Sequence, residues 1–177
     1  MRELETERLL LRRFRPEDAE RIYECWASDA EVTRYLSWFP HESPEQTARI
    51  LGIWLEEYDR PETYRWGIEL RSEGRLIGMI DVVGYHRGSP VLGYCSGRAY
   101  WGRGYMTEAL GAVTDELFRD GYDTIVIEAD TENVGSNRVI EKNGFQLVSV
   151  YETPLSEQKP EPRSRNSYRK YKTKREA

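Results

Sequence analysis

The stretch Ala-Tyr-Trp-Gly-Arg-Gly-Tyr-Met-Thr-Glu-Ala-Leu, Ala99–Leu110, sets two glycines one residue apart immediately before a helix-like run. Glycine lets a backbone turn tightly and approach a ligand closely, and a helix N-terminus offers unpaired N–H groups to an anion. The helix is legible from Met106, Leu110, Val113 and Leu117, which recur at i, i+4, i+7 and i+11 and stop at Gly121. Two phosphate loops fail against this text. A Rossmann fingerprint needs a third glycine where Thr107 stands, and a P-loop needs Gly-Lys followed by Ser or Thr, which occurs nowhere in the chain. What remains is a short loop from Gly102 through Arg103, Gly104, Tyr105 and Met106 to Thr107. Its free N–H groups suit a pyrophosphate without a lysine or a metal, with Arg98 and Arg103 as candidate charge-assisted contacts. A bare tight turn is the alternative reading.

Working outward, Val91–Cys95 reads as a strand before the loop and Thr124–Asp130 as a short apolar strand after the helix. Such a strand–helix–strand unit is expected to be parallel and right-handed. Upstream, Arg8–Phe14 reads as a first strand. A helix follows from Pro16, with Ala19, Ile22, Tyr23 and Trp26 on one face. Ser43-Pro44-Glu45-Gln46 has the form of a capping box opening a second helix, whose stripe continues through Ile50, Ile53, Trp54 and Tyr58. Two strand-like runs flank Arg71-Ser72-Glu73-Gly74 as a hairpin. Downstream, a short helix closes at Asn143-Gly144, a strand follows from Phe145, and the basic run from Tyr168 is expected to return antiparallel to it. Thr153–Asn166 between them reads as a long loop, mobile or lid-like. One mixed sheet with helices on its faces fits this order.

A chain of 177 residues accommodates one buried domain, residues 1–177. No apolar run approaches the roughly 20 residues needed to span a membrane, and the charged N-terminus is wrong for a signal peptide. The two cysteines, Cys25 and Cys95, read as reduced thiols of a cytoplasmic protein, a disulfide being the alternative. His41 and His86 have no neighbours at metal-ligand spacing, so no metal is expected. Charge is uneven: from Arg163 onward seven basic residues face one acid, and the rest of the chain is strongly acidic. The acidic body suits a cationic substrate. The basic end is read as a solvated face or edge strand rather than a nucleic-acid contact.

Trp101–Met106 resembles the pyrophosphate loop Q/R-x-x-G-x-G/A of the GNAT superfamily of N-acetyltransferases. Asn133–Phe145 is similar to that family's second acyl-CoA motif, N-x-x-S-x-x-V-x-E-K-x-G-F, and Leu4–Glu20 looks like the opening of the RimJ/RimL branch, known for acetylating ribosomal-protein N-termini. The resemblance implies an α/β GNAT fold with a splay between the fourth and fifth strands of this reading. It also implies acetyl-CoA as co-substrate and direct attack of an amine on the thioester. Departures are Trp101 in place of Gln or Arg, Met106 in place of a small residue, and Ile140 where many relatives carry a tyrosine acid.

The resemblance implies that a backbone N–H of the Tyr94, Cys95 and Ser96 region faces the thioester oxygen, and that Asn133 bonds the pantetheine arm with Ser136 and Asn137 close by. Asn133 and Ser136 could instead cap the short helix. The RimJ/RimL resemblance implies Ser136 as the acid at the thiolate. Glu128, sharing a strand face with Asp130, is the candidate base, with a salt-bridged acid as the alternative. Cys95 reads as a packing thiol rather than an acylated one. The acceptor is a protein N-terminus or a small amine, antibiotics included, and the enzyme a monomer or homodimer. A non-catalytic acyl-CoA sensor is the alternative outside enzymes.

Overall fold

A computed structural model describes residues 1–173. Eight strands form one sheet in the order β1-β2-β3-β4-β5-β6-β8-β7. They are β1 (Leu4–Glu5), β2 (Leu9–Arg12), β3 (Arg65–Leu70), β4 (Arg75–His86), β5 (Ser89–Ser96), β6 (Thr124–Asp130), β7 (Gln146–Ser156) and β8 (Lys159–Tyr171). All neighbours are antiparallel except β5 and β6. The strand expected over 8–14 is shorter, because Arg12 turns its guanidinium back onto Asp18 and Glu69 and the chain leaves the sheet.

Alternation along the strands sends side chains into two cores. Met79 joins Phe14, Ile22, Trp26, Leu51, Leu76 and Cys95 on one face. Its neighbour Ile80 joins Leu92, Leu110, Val113, Leu117, Ile127, Ile140 and Tyr168 on the other. Helices therefore cover both faces. On the first lie α1 (Ala19–Ile22), a π-helical turn (Tyr23–Ala27), α2 (Ala30–Thr33) and α3 (Pro44–Glu57). On the second lie α4 (Tyr105–Arg119) and α5 (Val134–Lys142).

At the start of α3 the Ser43 hydroxyl accepts from the Gln46 N–H (3.3 Å), as a cap should. The reciprocal bond falls one residue early, from the Glu42 N–H to Gln46 Oε1 (2.7 Å). The buried stripe of α3 is Thr47, Leu51 and Tyr58. Ile53, expected in it, is 57% exposed, because it lies two residues from Leu51 and so on another face.

Two expectations at the C-terminal end are corrected. Thr153–Asn166 is not a loop: β7 runs to Ser156, β8 starts at Lys159, and Pro154 pairs with Pro162. A loop reading overweighted the prolines, which are tolerated at this end of the ribbon because β8 pairs with β6 only from Arg165 onward. Nor is the basic end an edge or a merely solvated face. The strand β8 is inserted between β6 and β7, which leaves β7 as the edge. Arg163 pairs with Asp130, and Lys172 donates to the Phe118 carbonyl (2.6 Å) at the end of α4, where a cation suits the helix dipole. Lys174, Arg175 and Glu176 of that basic end lie outside the described residues.

Candidate active site

The parallel pairing of β5 with β6 is confined to Val91 with Val126 and Leu92 with Ile127. Beyond it β5 continues beside β4 through Tyr94, Cys95 and Ser96, while β6 continues beside β8 to Asp130. The two strands diverge, and the gap opens between α4 and α5. A cleft of about 590 Å³ fills it.

At one end stands the glycine loop. Gly102 has φ 72° and Gly104 φ 81°, left-handed values that other residues adopt only with strain. Gly104 is the N-cap of α4, and the first N–H used inside the helix is that of Glu108, bonded to the Gly104 carbonyl (3.1 Å). No backbone bond within the described chain takes the N–H groups from Gly102 to Thr107. Such a row at the positive end of a 15-residue helix is an anion receptor.

The loop is clamped from behind by a residue the motif reading passed over. Arg8 donates from Nη1 to the Arg103 carbonyl (3.0 Å) and from Nε to Glu108 (2.7 Å), and its guanidinium lies 4.6 Å from the Tyr105 ring centre. Burial raises the Glu108 carboxyl, but bonds from Thr6 and Arg8 outweigh it and hold the group below its ordinary value. Arg98 is not an anion contact, since it pairs with Asp29 (2.6 Å). The Arg103 side chain points to solvent and does not line the cleft. Trp101 also lines the cleft and donates from its indole to the Ser96 carbonyl (2.8 Å), tying loop to strand. Met106 lines the cleft too while packing on the core of α4.

Tyr94, Cys95, Ser96, Gly102, Gly104, Tyr105, Met106, Thr107, Asn133 and Ser136 come together around this one cleft. Three expected residues do not. Asn137 is buried: its amide donates to the carbonyls of Asp130 (2.9 Å) and Asn133 (2.9 Å), and its oxygen accepts from Tyr168 (2.9 Å) and Asn166 (3.0 Å). With every polar atom engaged, it fastens α5 to β6 and β8. Arg103 contributes backbone only. Glu128 lies on the other face of β6 from the buried Ile127 and Ala129, with Arg165 Nη2 3.8 Å from its carboxylate. Burial and a bond to Glu128 push the Tyr151 phenol up to about 12, so that hydroxyl stays protonated beside the carboxylate.

The Asn133 side-chain oxygen Oδ1 caps α5 by accepting from the Ser136 N–H (3.1 Å), so the capping reading holds for that atom. The Ser136 hydroxyl meets the Tyr94 hydroxyl at 2.9 Å, and Tyr94 also reaches the Ser136 carbonyl at 3.2 Å. Burial holds the Tyr94 phenol far above its ordinary value, against a smaller lowering by the Ser136 bond. It is therefore a donor at any physiological pH. Ile140, at the position of the missing tyrosine acid, is fully buried in the core. Cys95 is a buried free thiol, and burial pushes its pKa strongly upward, which suits packing and not nucleophilic attack. Cys25 is also free, so the two form no disulfide.

Motif reading also missed two walls of the cleft. Arg138 and Lys142, one turn apart on α5, line it as cations with no ion-pair partner among the described residues. Their i, i+4 spacing from Val134 was the available signal. The other wall is the segment around α2, with Glu31, Val32, Arg34, Tyr35 and Leu36. It is held by the far tip of the β7–β8 hairpin. Lys159 Nζ donates to the carbonyls of Thr33 (2.7 Å) and Leu36 (2.9 Å), Ser156 donates to the Ser37 carbonyl, and Arg163 lies over the Tyr35 ring at 5.3 Å. No spacing rule joins positions so far apart in the chain.

A diverging parallel pair with an anion-binding helix end beside it defines a class, and comparison with known proteins agrees. The family profile described as "Acetyltransferase (GNAT) domain" matches residues 8–146. The uncharacterized N-acetyltransferase YoaA of Bacillus subtilis (strain 168) is 36% identical over 151 residues, covering 83% of this chain and 84% of that protein. Among solved structures, a putative ribosomal-protein-serine acetyltransferase from Vibrio cholerae superimposes with TM-score 0.83 at 22% identity, over 96% of this chain and 97% of that one. The microcin C7 self immunity acetyltransferase MccE, solved with acetyl-CoA and AMP, gives 0.82 at 17% identity over 94% of each chain. The chain belongs to the GNAT acetyltransferase family, and it is an acyl-CoA-dependent N-acetyltransferase.

Proposed function

We propose that the enzyme moves an acetyl group from acetyl-CoA to a primary amine that is small or is carried on a flexible N-terminal segment. The observation that carries the donor is the row of unpaired N–H groups from Gly102 to Thr107 at the mouth of the splay. It fits a pyrophosphate, with Arg138 and Lys142 of the same cleft adding positive charge. When bound, acetyl-CoA supplies the acyl group as a thioester, which an uncharged amine attacks to give an amide and a thiol.

The chain's own residues then have three tasks. The β5 backbone at Tyr94–Ser96, which has no β6 partner, stabilises charge developing on the thioester oxygen. Ser136, held by the Tyr94 hydroxyl, delivers a proton to the departing sulfur and regains one through water as the new amide nitrogen sheds its proton. Glu128, on the face of β6 turned away from the core under α4 and α5, takes the ammonium proton through water. The clasp between the hairpin tip and the α2 wall supports an acceptor that threads into an enclosed space over one that lies along an open groove. The V. cholerae neighbour is described as a putative ribosomal-protein-serine acetyltransferase and MccE as a microcin C7 self immunity acetyltransferase, so the descriptions of neighbours of this fold differ in the target they name.

The test is calorimetric and enzymatic together. Gly104→Val must force a β-branched residue into φ 81°, and it is expected to abolish CoA binding while the domain still folds. Wild-type protein should release thiol from acetyl-CoA in the presence of some member of a panel of N-terminal peptides, polyamines and aminoglycosides. Tight CoA binding with silence across the panel would instead mark a sensor.

A further inference from the structure

The segment that leads from β5 into the glycine loop lies along the first helical stretch of the chain. Arg21 donates from Nη2 to the Tyr100 hydroxyl (2.9 Å). Cys25 abuts Gly97 so closely that a Cβ there would stand 2.5 Å from Cys25 Sγ and 2.6 Å from the Cys25 carbonyl oxygen, so the approach requires glycine. Asp29 then takes Arg98 Nε at 2.6 Å. Positions 21, 25 and 29 are four apart, and they run from α1 through the π-helical turn to the residue that caps α2.

Asp29 joins two structures. Its Oδ2 receives Arg98, just past the end of β5, while its Oδ1 accepts from the Glu31 N–H (2.9 Å) and its carbonyl from the Thr33 N–H (3.0 Å) of α2. A helix of four residues is too short to hold itself in water. Where α2 stands is therefore set by the burial of Val32 and by what ties its ends. Asp29 with Arg98 is one tie, and Lys159 on the carbonyls of Thr33 and Leu36 is the other. The first leads to the donor loop: between Arg98 and Gly102 the chain is stiffened by a 3₁₀ turn and by the Trp101 indole on the Ser96 carbonyl. The ion pair is partly exposed and adds little to overall stability, so its consequence is positional. We propose that Arg98 is a positioning residue. Through Asp29 it fixes the α2 wall of the cleft to the glycine loop, so that filling the loop with CoA also steadies Glu31–Leu36 for the amine. The proposal rests on the acetyltransferase reading and adds to it a link between two walls of the cleft.

Hydrogen exchange of the full chain, with and without CoA as the probe, tests it. In the wild-type protein CoA should slow the amides of residues 30–37 by about 5-fold or more, the lower end of ordinary coupling between sites, besides slowing those of Gly102–Thr107. Asp29→Asn keeps a side-chain oxygen for the Glu31 N–H and removes the charge, so the cap survives. In that variant and in Arg98→Gln the slowing over 30–37 should vanish while that over Gly102–Thr107 remains. Linkage limits the accompanying fall in CoA affinity, read by calorimetry, to the factor lost at α2. Arg98→Lys should restore part of the effect, and melting temperatures close to wild type separate it from misfolding. A wild-type protein with no CoA-linked change over 30–37, or a change that persists in both variants, overturns the proposal. So does loss of slowing from both segments together, which would make Arg98 a support of the donor loop alone. Failure of the wild-type protein to bind CoA would instead remove the acetyltransferase reading beneath it.

Discussion

Ser136 joins a helix cap and the proposed proton delivery in one residue, two readings that sequence could not separate. Its N–H is spent on the Asn133 cap, while its hydroxyl is directed to Tyr94 across the splay. Cap and acid are thus compatible, since they use different atoms. Removing the hydroxyl should spare the cap and disable proton delivery. Ser136→Ala is expected to lower kcat by about 10- to 100-fold with CoA affinity retained, measured by steady-state thiol release and calorimetry. Tyr94→Phe leaves the serine in place and should lower kcat by a smaller factor. A fall in melting temperature with kcat intact for Ser136→Ala would reduce the residue to a structural part. Asn137 shows the opposite case. It sits beside Ser136 in the same motif, yet its side-chain hydrogen bonds turn inward, and only the placement of Tyr168 and Asn166 on β8 reveals that.

Among the elements, the α4 N-terminus depends on a strand edge far away in the chain. The Gly102–Thr107 loop has no side chain of its own to hold it open, and Arg8, at the start of β2, does so through the Arg103 carbonyl and Glu108. Cutting that clamp should loosen the anion receptor without touching the proton donors. Arg8→Ala is expected to raise KM for acetyl-CoA by roughly 10-fold, an effect of the size of one charge-assisted bond, while kcat at saturation changes little. A KM equal to wild type would show that the two glycines hold the loop unaided. The glycine spacing and the stripe of α4 were readable because both are local: 3.6-residue periodicity and left-handed φ values are properties of neighbouring residues. The hairpin of β7 and β8 was not readable over Thr153–Asn166, because cross-strand pairing there outweighs a composition rich in proline and charge.

On the scale of the whole molecule, the acidic charge of the body is managed by burial as much as by pairing. Asp81 on β4 is buried beside Arg65, with Glu57 near; burial outweighs the arginine and raises its pKa from 3.8 to about 6. Since the folded-state value is raised, the fold binds this proton more tightly than the unfolded chain does. Its stabilising contribution is complete below about 3.8 and is lost as pH rises to about 6. The difference amounts to roughly 3 kcal/mol at 1.36 kcal/mol per pH unit. Asp81→Asn should therefore gain on the wild type by up to about that amount between pH 4 and pH 7, read from urea unfolding at each pH. A stability difference independent of pH would mean that Asp81 ionises in the fold as it does in the unfolded chain.

By itself the sequence determined the order of the longer elements, though not β1 or α2, the parallel unit around the glycine loop, the two faces of helices and the family motifs that name the donor. These follow from periodicity, turn chemistry and local spacing, whose physics acts between residues close in the chain. Tertiary structure alone decided which of the motif residues face the cleft. It divided Asn133 and Ser136 from Asn137, and set Glu128 among arginines on the far face of β6. It closed the α2 wall of the cleft with Lys159 on the carbonyls of Thr33 and Leu36. Those outcomes depend on contacts between segments tens to more than a hundred residues apart, where strand register and burial decide which polar atoms find each other.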